Sequence, residues 1–348
     1  MGTDNERNLN IAAVRAAIEG GLRNLERDPE RGVRNMLDLG KYFSRTHRQR
    51  SFFQMAQRML GRKRSQYMQL VKRTVTDVDH DTLKTLGINM GYYSWSQGAK
   101  VIREIEATRG FNVPWSLTIS LLDSGDGCLN LNELRDIIDQ AHALGIHCYW
   151  IAANRSSGDI FDMFNLFGTY KDCAFFMLLP VGMITSELAE NALKQHNIAV
   201  CVRDTADQDV RAAAEILHEM RLLFGLYYMY DDTNADEITS GHVQSDVDNY
   251  RGQFALFIPS ATCMDECRAK VQAYASGEKV TPEKPPFMVD FYADLAAVDA
   301  IISSQSCYIE IDAHGNVASA PWTQPCGVNI RTHTLADALL KLAPRKAE

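Results

Sequence analysis

The alternation of short apolar runs with amphipathic helical patterns is the feature that most constrains this fold. Six runs, rich in β-branched and aromatic residues, are predicted strands at 115–122, 147–152, 174–179, 198–202, 225–230 and 254–258. Helical patterns fill the intervals between them. Strands that alternate with helices pair in parallel, so the sequence predicts an α/β fold built from six βα units.

The helices between these strands carry recognisable start and stop signals. Asn130 is predicted to cap a helix whose Glu133 reaches back to the cap, and Gly145 is predicted to stop that helix. Thr185 is predicted to open a second helix that runs to about residue 195. A third is predicted over 210–223.

Three regions are predicted along the 348 residues. Residues 1–110 are expected to be all helical and to contain a basic segment at 39–76. Residues 111–276 are expected to form a partial (β/α)6 TIM-like barrel. Residues 277–348 are expected to form a small extension with a hairpin, in which His314 and Gly315 supply the turn, and a helix. Glu278, Pro282, Pro285 and Pro286 mark a linker before that hairpin.

The basic segment stands out because the whole chain has a net charge of −8. Ten Lys or Arg and no acidic residue lie between Asp38 and Asp77. Such a face can bind an anion or an anionic partner, but it can also be solvated or dock on the acidic remainder of the chain. Nucleic acid is not the expected partner. The candidate anion-binding or partner-binding residues are Arg58, Arg62, Lys63 and Arg64.

Neither a membrane span nor a cysteine-rich metal motif is predicted. No apolar run approaches the roughly 20 residues that a bilayer requires, and the first residues lack a secretory signal, so we expect a cytoplasmic protein. The eight cysteines contain no CxxC pair, which argues against a zinc ribbon. Cys263 and Cys267 have helical i, i+4 spacing, but no further ligand is expected near them.

The mouth of the predicted barrel is where chemistry is expected, because loops after the strands meet there. Carboxylates in these loops could act as general acids or bases or hold a hard cation, and arginines could bind an anionic substrate. The same residues could simply cap helices and keep the loops soluble. The candidates for ligand binding at the mouth are Asp123, Asp126, Asn154, Arg155, Arg203, Asp204 and Asp231.

Framework segments of the chain resemble a known family. They are VPWSLTISL with LNLNELRDIIDQAHALGI, TYKDCAFFMLLPVGMITSELAENAL, and YIEIDAHGNV with VNIRTHTLADALL. Together they resemble a radical SAM enzyme of the gut-bacterial type with a SPASM-like C-terminal extension. The N-terminal LRNLERDPERGVRNMLDLGKY is similar to the helical preface of that group. The resemblance implies a partial (β/α)6 barrel whose mouth holds a [4Fe-4S] cluster and S-adenosylmethionine.

The motifs that would bind those cofactors are missing. The family's CxxxCxxC loop corresponds to SLLDSGDGCLNLN, where only Cys128 remains. Its GGEP-type turn corresponds to AANRSSGD, with Arg155 near the expected acid, and its Asn-Gly turn to Val181 and Gly182. Ile301 and Ala320 stand where the extension would carry cluster cysteines. One thiolate cannot hold a cluster, so no cofactor and no metal site is predicted.

The resemblance and its departures lead to one main functional hypothesis. It is a catalytically inactive radical-SAM-like protein, a pseudoenzyme that binds a peptide, a small ligand or an active radical SAM paralogue. The alternatives are an enzyme with non-radical chemistry in the barrel mouth, a radical SAM enzyme completed by a partner chain, and a polyanion-binding protein.

Overall fold

The computed structural model describes residues 16, 19–21, 23–25, 27–43, 50, 54, 57, 60, 65–205, 210–303, 305–321 and 327–345. The strands within these ranges are β1 Ser116–Leu121, β2 Cys148–Ala153, β3 Ala174–Leu179, β4 Ile198–Arg203, β5 Phe224–Tyr230, β6 Phe254–Pro259, β7 Phe287–Asp290, β8 Glu310–Asp312 and β9 Val317–Ala318. The predicted α/β, TIM-like architecture is confirmed, because β1 to β7 lie side by side in chain order and all pair in parallel.

Helices surround this sheet and precede it. They are α1 Pro29–Phe43, α2 Gln66–Asp77, α3 His80–Ile88, a π-helix at Asn89–Gly98, α4 Ala99–Arg109, α5 Leu131–Ala143, α6 Ser157–Phe167, α7 Ser186–Leu193, α8 Val210–Glu219, α9 Ala235–Thr239, α10 His242–Asn249, α11 Asp265–Val280, α12 Phe291–Ile302 and α13 Leu335–Leu342. The predicted caps are confirmed. Asn130 and Glu133 form a capping box on α5, and Thr185 accepts a hydrogen bond from the Leu188 amide on α7.

The sheet extends beyond the six predicted strands at both edges. The segment expected to be a linker instead continues α11 to Val280, and the four residues of β7 then pair with β6. At the other edge β8 pairs in parallel with β1, so that Thr118 lies beside Glu310. The predicted hairpin turn is confirmed, because β8 and β9 are antiparallel and Gly315 has a positive φ of 82°. The sheet order is therefore β7-β6-β5-β4-β3-β2-β1-β8-β9.

Successive side chains along each strand point alternately to the helix-facing side and to the concave side of the sheet. In β1, Leu117, Ile119 and Leu121 are fully buried under the helix layer, whereas Thr118 and Ser120 between them are half-buried. Directly paired residues of parallel strands point to the same side of a sheet. The register therefore assigns each strand's alternate residues to the concave side, which we call the lumen.

Helices also close the two open parts of this barrel. At the bottom, Leu86 of α3 packs against Ala174 and Ala199 at the beginnings of β3 and β4. Along the gap between β7 and β8, α12 is held to β1 because the Trp115 indole donates to the Leu295 carbonyl over 3.0 Å. The lumen side of the sheet is thus covered by α3 at the bottom and by α12 along this gap.

Some sequence predictions fall outside the described residues. These are the four basic candidates Arg58, Arg62, Lys63 and Arg64, and other parts of the region 1–110 that is expected to be helical.

Candidate functional site

An aromatic layer crosses the middle of the lumen. The ring of Trp150 stacks on Phe176 with centroids 4.2 Å apart, and Phe291 of α12 meets Trp150 edge-on at 5.2 Å. Phe254 extends the layer from β6, with its centroid 6.4 Å from that of Phe176. The Trp150 indole nitrogen is buried and has no hydrogen-bond partner in the described part of the chain. This layer makes the middle of the lumen apolar.

Polar side chains lie beside that layer on the β8 side of the lumen, because Thr118 pairs in the register with both Trp150 of β2 and Glu310 of β8. Glu310 stands beside Thr118 in the register, and the Tyr308 hydroxyl donates to the Glu310 carboxylate over 2.8 Å. The Tyr308 ring packs against Tyr292 of α12 with centroids 5.5 Å apart. One carboxylate therefore sits among hydroxyl groups and aromatic rings inside the barrel.

The surroundings of Glu310 disfavour its charged form. Burial raises the pKa of Glu310, the hydrogen bond from Tyr308 opposes that change, and the negative charge of Asp312 raises the pKa further. Asp312 itself accepts hydrogen bonds from the His314 and Asn316 amides at 2.9 and 2.8 Å, so it is used in the β8–β9 turn. Glu310 is the carboxylate of this pair that remains available for proton transfer.

The opposite wall of the lumen carries a cation. Arg203 ends β4 on the lumen side, pairs in the register with Tyr227 of β5, and is exposed. Among the described residues, no carboxylate lies within ion-pair distance of its guanidinium. Of the two arginines predicted for the mouth, Arg203 is the one that lies on the lumen side and is exposed, and its guanidinium has no carboxylate partner among the described residues.

The other predicted mouth residues are spread around the rim and do not converge. Asp123 is exposed and lies 3.6 Å from the His314 imidazole, while Asp126 and Asn154 are exposed in separate loops. The Arg155 guanidinium donates to the Leu129 carbonyl over 3.0 Å, and two of its nitrogens are buried without a partner in the described residues. Asp231 accepts from the Thr233 amide at 2.8 Å and so stabilises its own turn.

Asp204 has an environment unlike that of the other rim acids. It is half-buried on the helix-facing side after β4, and burial together with the nearby charges of Asp246 and Glu237 raises its pKa to about 6, against the opposing charge of His242. A carboxyl group whose pKa is higher in the folded than in the unfolded chain favours folding when protonated. Stability from this group is present below pH 4 and is lost as the pH rises to 6.

We expect Asp204→Asn to stabilise the protein at pH 7 by about 1–2 kcal/mol, less than the full shift would give because the group is partly exposed. The gain should disappear near pH 4, where the wild-type carboxyl is also neutral. Urea unfolding at pH 4, 5, 6 and 7 measures the difference in free energy of unfolding between this variant and the wild type. Asp126→Asn, in an exposed loop, is the control and should show no such change. Parallel stability curves for wild type and Asp204→Asn would contradict this account.

A group of three possible metal ligands lies at the same end of the barrel. Asp232 follows β5, and Cys263 and Cys267 follow β6; one donor atom from each lies within 4.8 Å of the other two. The sequence suggested no further ligand near the cysteine pair, whereas the fold places Asp232 there. Asp232 is exposed and already accepts from the Met264 amide over 3.1 Å.

The described end of the basic segment is bound to the protein itself. Lys72 and Arg73 of α2 line a cavity of about 580 Å³ at the bottom of the barrel. The Arg73 guanidinium pairs with the Asp248 carboxylate over 2.6 Å and donates to the Gly252 carbonyl over 2.7 Å. Its charge is therefore neutralised within the fold.

Among the described residues, no helix is both long and apolar enough to span a bilayer.

Comparisons with known proteins give a likeness of fold only. No family model and no curated protein matches the chain. Among solved structures, the tryptophan synthase alpha chain from Legionella pneumophila is 11% identical, with a TM-score of 0.37 over 63% of this chain and 85% of that one. The tryptophan synthase subunit from Pyrococcus furiosus is 7% identical, with a TM-score of 0.37 over 59% and 89%.

These findings overturn the radical SAM resemblance. The solved structures reported above are tryptophan synthase subunits, and no family model supports a radical SAM or SPASM-like assignment. The prediction of an inactive radical-SAM-like protein that binds a peptide or an active paralogue is therefore wrong, as is the radical SAM alternative. The strand β8, expected in a SPASM-like extension, lies in the barrel sheet beside β1.

Glu310, Thr118 and Trp150 were missed as site residues by sequence reasoning. The signal was present in the strict alternation of β1, where Thr118 and Ser120 interrupt Leu117, Ile119 and Leu121. Polar residues on one side of an otherwise apolar strand indicate a surface that faces water or a ligand. The pairing of β8 with β1, which brings Glu310 to that surface, has no such local signal.

Proposed function

We propose that this chain is an enzyme that binds a small organic acid in the barrel lumen, with Glu310 as its general acid–base. The observation that carries the proposal is the position of Glu310, a half-buried carboxylate inside the barrel with one hydroxyl donor, Tyr308, at 2.8 Å. Pockets that combine an apolar floor with a few convergent polar groups are where small molecules bind.

The carboxyl group of Glu310 suits proton transfer. An acid–base catalyst works best when its pKa lies near the working pH, and burial moves the pKa of Glu310 upward from its ordinary value. The Tyr308 hydroxyl fixes one carboxylate oxygen, which leaves the other available to a bound molecule. Thr118, the lateral neighbour of Glu310, adds a hydroxyl group that could hydrogen-bond a substrate oxygen.

The negative charge proposed for the substrate follows from Arg203, which lies on the wall of the lumen opposite β8. Arg203 projects from the end of β4, four strands from β8 in the sheet order, and has no carboxylate partner among the described residues. A guanidinium binds carboxylates through paired charge-assisted hydrogen bonds. The aromatic layer that contains Trp150, Phe176 and Phe254 would contact the apolar part of the same molecule. These groups favour an organic acid that also has an apolar part.

Thermal-shift titrations test this assignment. The probes are a panel of small mono- and dicarboxylic acids, each compared with its amide. We expect at least one acid, and not its amide, to raise the Tm of the wild type saturably. Arg203→Ala should weaken that binding by about tenfold to a hundredfold, the effect of losing a charge-assisted hydrogen-bonding group.

Two further variants make the result specific. Glu310→Gln keeps the shape and removes only the titratable proton, so it should remain folded and lose any dependence of acid binding on the protonation of this group. Lys194→Ala is the matched cation control and should bind like the wild type, because Lys194 lies directly after the outer helix α7, where it pairs with Glu190 over 3.1 Å. A panel with no saturable Tm shift, or a shift that survives Arg203→Ala, would exclude the proposed site.

A further inference from the structure

Four potential metal ligands meet at the bottom of the barrel, opposite the lumen opening. His142 lies in the last turn of α5, and the chain turns at Gly145 to bring His147 to the beginning of β2. Asp172 and Cys173 directly precede β3. One donor atom from each of the four residues lies within 4.8 Å of all the others. Two histidines, one carboxylate and one thiol are therefore collected from two consecutive βα units.

The separations between these donors match a tetrahedral ion site. Zinc bonds of about 2.0–2.3 Å place neighbouring ligands of a tetrahedron about 3.3–3.8 Å apart. The Asp172 Oδ2 atom is 2.9 Å from His142 Nε2 and 3.6 Å from His147 Nδ1. Cys173 Sγ is 3.9 Å from His147 Nδ1 and 3.8 Å from Asp172 Oδ1. These separations lie close to that range, and the remaining donor pairs of the cluster lie within 4.8 Å of each other.

The backbone around the cluster is fixed before any ion binds. The Ala174 amide donates to the His147 carbonyl over 2.8 Å, which locks the beginnings of β2 and β3 together. Asn89 of the π-helix donates its side-chain amide to the Cys173 carbonyl over 2.6 Å. Cys173 and His147 are buried, while the His142 and Asp172 side chains are 38% and 30% exposed. The site is thus preorganised and open to solvent on one side.

We infer that His142, His147, Asp172 and Cys173 form a structural zinc site. Imidazole, thiolate and carboxylate are all zinc ligands, and the thiolate disfavours calcium and magnesium, which prefer oxygen. Four protein ligands leave no coordination position for substrate, as in structural sites. Its location at the bottom of the strands, away from the loops where barrel enzymes act, agrees with a stabilising role. The ion would tie the α5–β2 turn to the α6–β3 connection.

Metal titration of the full-length protein tests this inference. The protein is stripped with a chelator and titrated with Zn²⁺, then separately with Co²⁺ as a spectroscopic probe. We expect about one equivalent of either metal per chain, a higher Tm for the zinc form than for the stripped form, and a thiolate-to-cobalt charge-transfer band with the strong visible bands of a tetrahedral centre.

Variants distinguish this cluster from the cysteine pair at the other end of the barrel. Cys173→Ser should lose the charge-transfer band. His142→Gln changes a partly exposed ligand, so it should fold and still weaken metal affinity at least about tenfold. The double variant Cys263→Ser and Cys267→Ser, and Cys201→Ala at a buried thiol of β4, should keep the band. Absence of stoichiometric binding, a band that persists in Cys173→Ser, or a band lost in the double variant would overturn the inference.

Discussion

Replacing Phe175 with alanine is expected to lower the free energy of unfolding by about 3–5 kcal/mol, the usual cost of emptying a large buried aromatic site. Phe175 is fully buried on the helix-facing side of β3. Its ring stacks on Phe167 of α6 at 4.2 Å and on Tyr149 of β2 at 5.0 Å, and Tyr170 lies 6.4 Å away. The substitution therefore removes both the buried area and the ring contacts that join α6 to the sheet.

Urea denaturation followed by circular dichroism measures this loss. Phe161→Ala is the control, since Phe161 is a phenylalanine of α6 that is only half-buried, and its replacement should cost about 1–2 kcal/mol. If Phe175→Ala does not accumulate as folded protein, Phe175→Leu keeps most of the side-chain volume and should cost about 1.5 kcal/mol. Equal losses for Phe175→Ala and Phe161→Ala would contradict the central role of this stack.

The six central strands could be predicted from the sequence because each is a long apolar run bounded by helix signals. Local patterns of this kind report burial directly, and both ends of each of these strands agree with the predictions to within one residue. The edges could not be predicted in the same way. The strands β7 and β8 have four and three residues, and β7 follows a segment rich in proline, so their pairing depends on tertiary contacts.

The candidate site was harder to predict than the fold, and the reason is geometric. Loop residues such as Asp123 and Asp231 follow strands and were the obvious candidates, yet the first pairs with His314 and the second stabilises a turn. The lumen group Glu310 depends on β8 lying against β1, two elements about 190 residues apart in the chain. Sequence spacing carries no information about that approach.

The radical SAM resemblance failed for a related physical reason. It rested on framework segments, and apolar strands with capped amphipathic helices are what any parallel βα sheet requires. The capping box at Asn130 and Glu133 and the apolar positions of α5 satisfy that requirement without specifying chemistry. A framework match without the residues that bind a cofactor is evidence for an architecture and not for a family.

Substituting alanine for Gly98 should lower the free energy of unfolding by about 2–4 kcal/mol, because the added methyl group would overlap neighbouring backbone atoms. Gly98 ends the π-helix, and its backbone lies directly against the Gly145 turn that precedes β2. An added Cβ would overlap the Gly145 carbonyl oxygen and lie 2.9 Å from the Tyr93 carbonyl oxygen. Both obstacles are backbone atoms, and Gly145 has a φ of 89° that resists adjustment. Relief therefore requires the N-terminal helices to move away from the barrel.

Gly91 supplies the matched control, since it lies in the same π-helix, is exposed, and an added Cβ there would meet nothing within 4 Å. Gly91→Ala should leave stability unchanged or raise it by about 0.5–1 kcal/mol, because alanine restricts the unfolded chain more than glycine does. Thermal and urea unfolding of the two variants measure the difference. Equal stability of Gly98→Ala and Gly91→Ala would contradict this account. It would mean that the π-helix does not pack closely against the α5–β2 turn at Gly98 and Gly145.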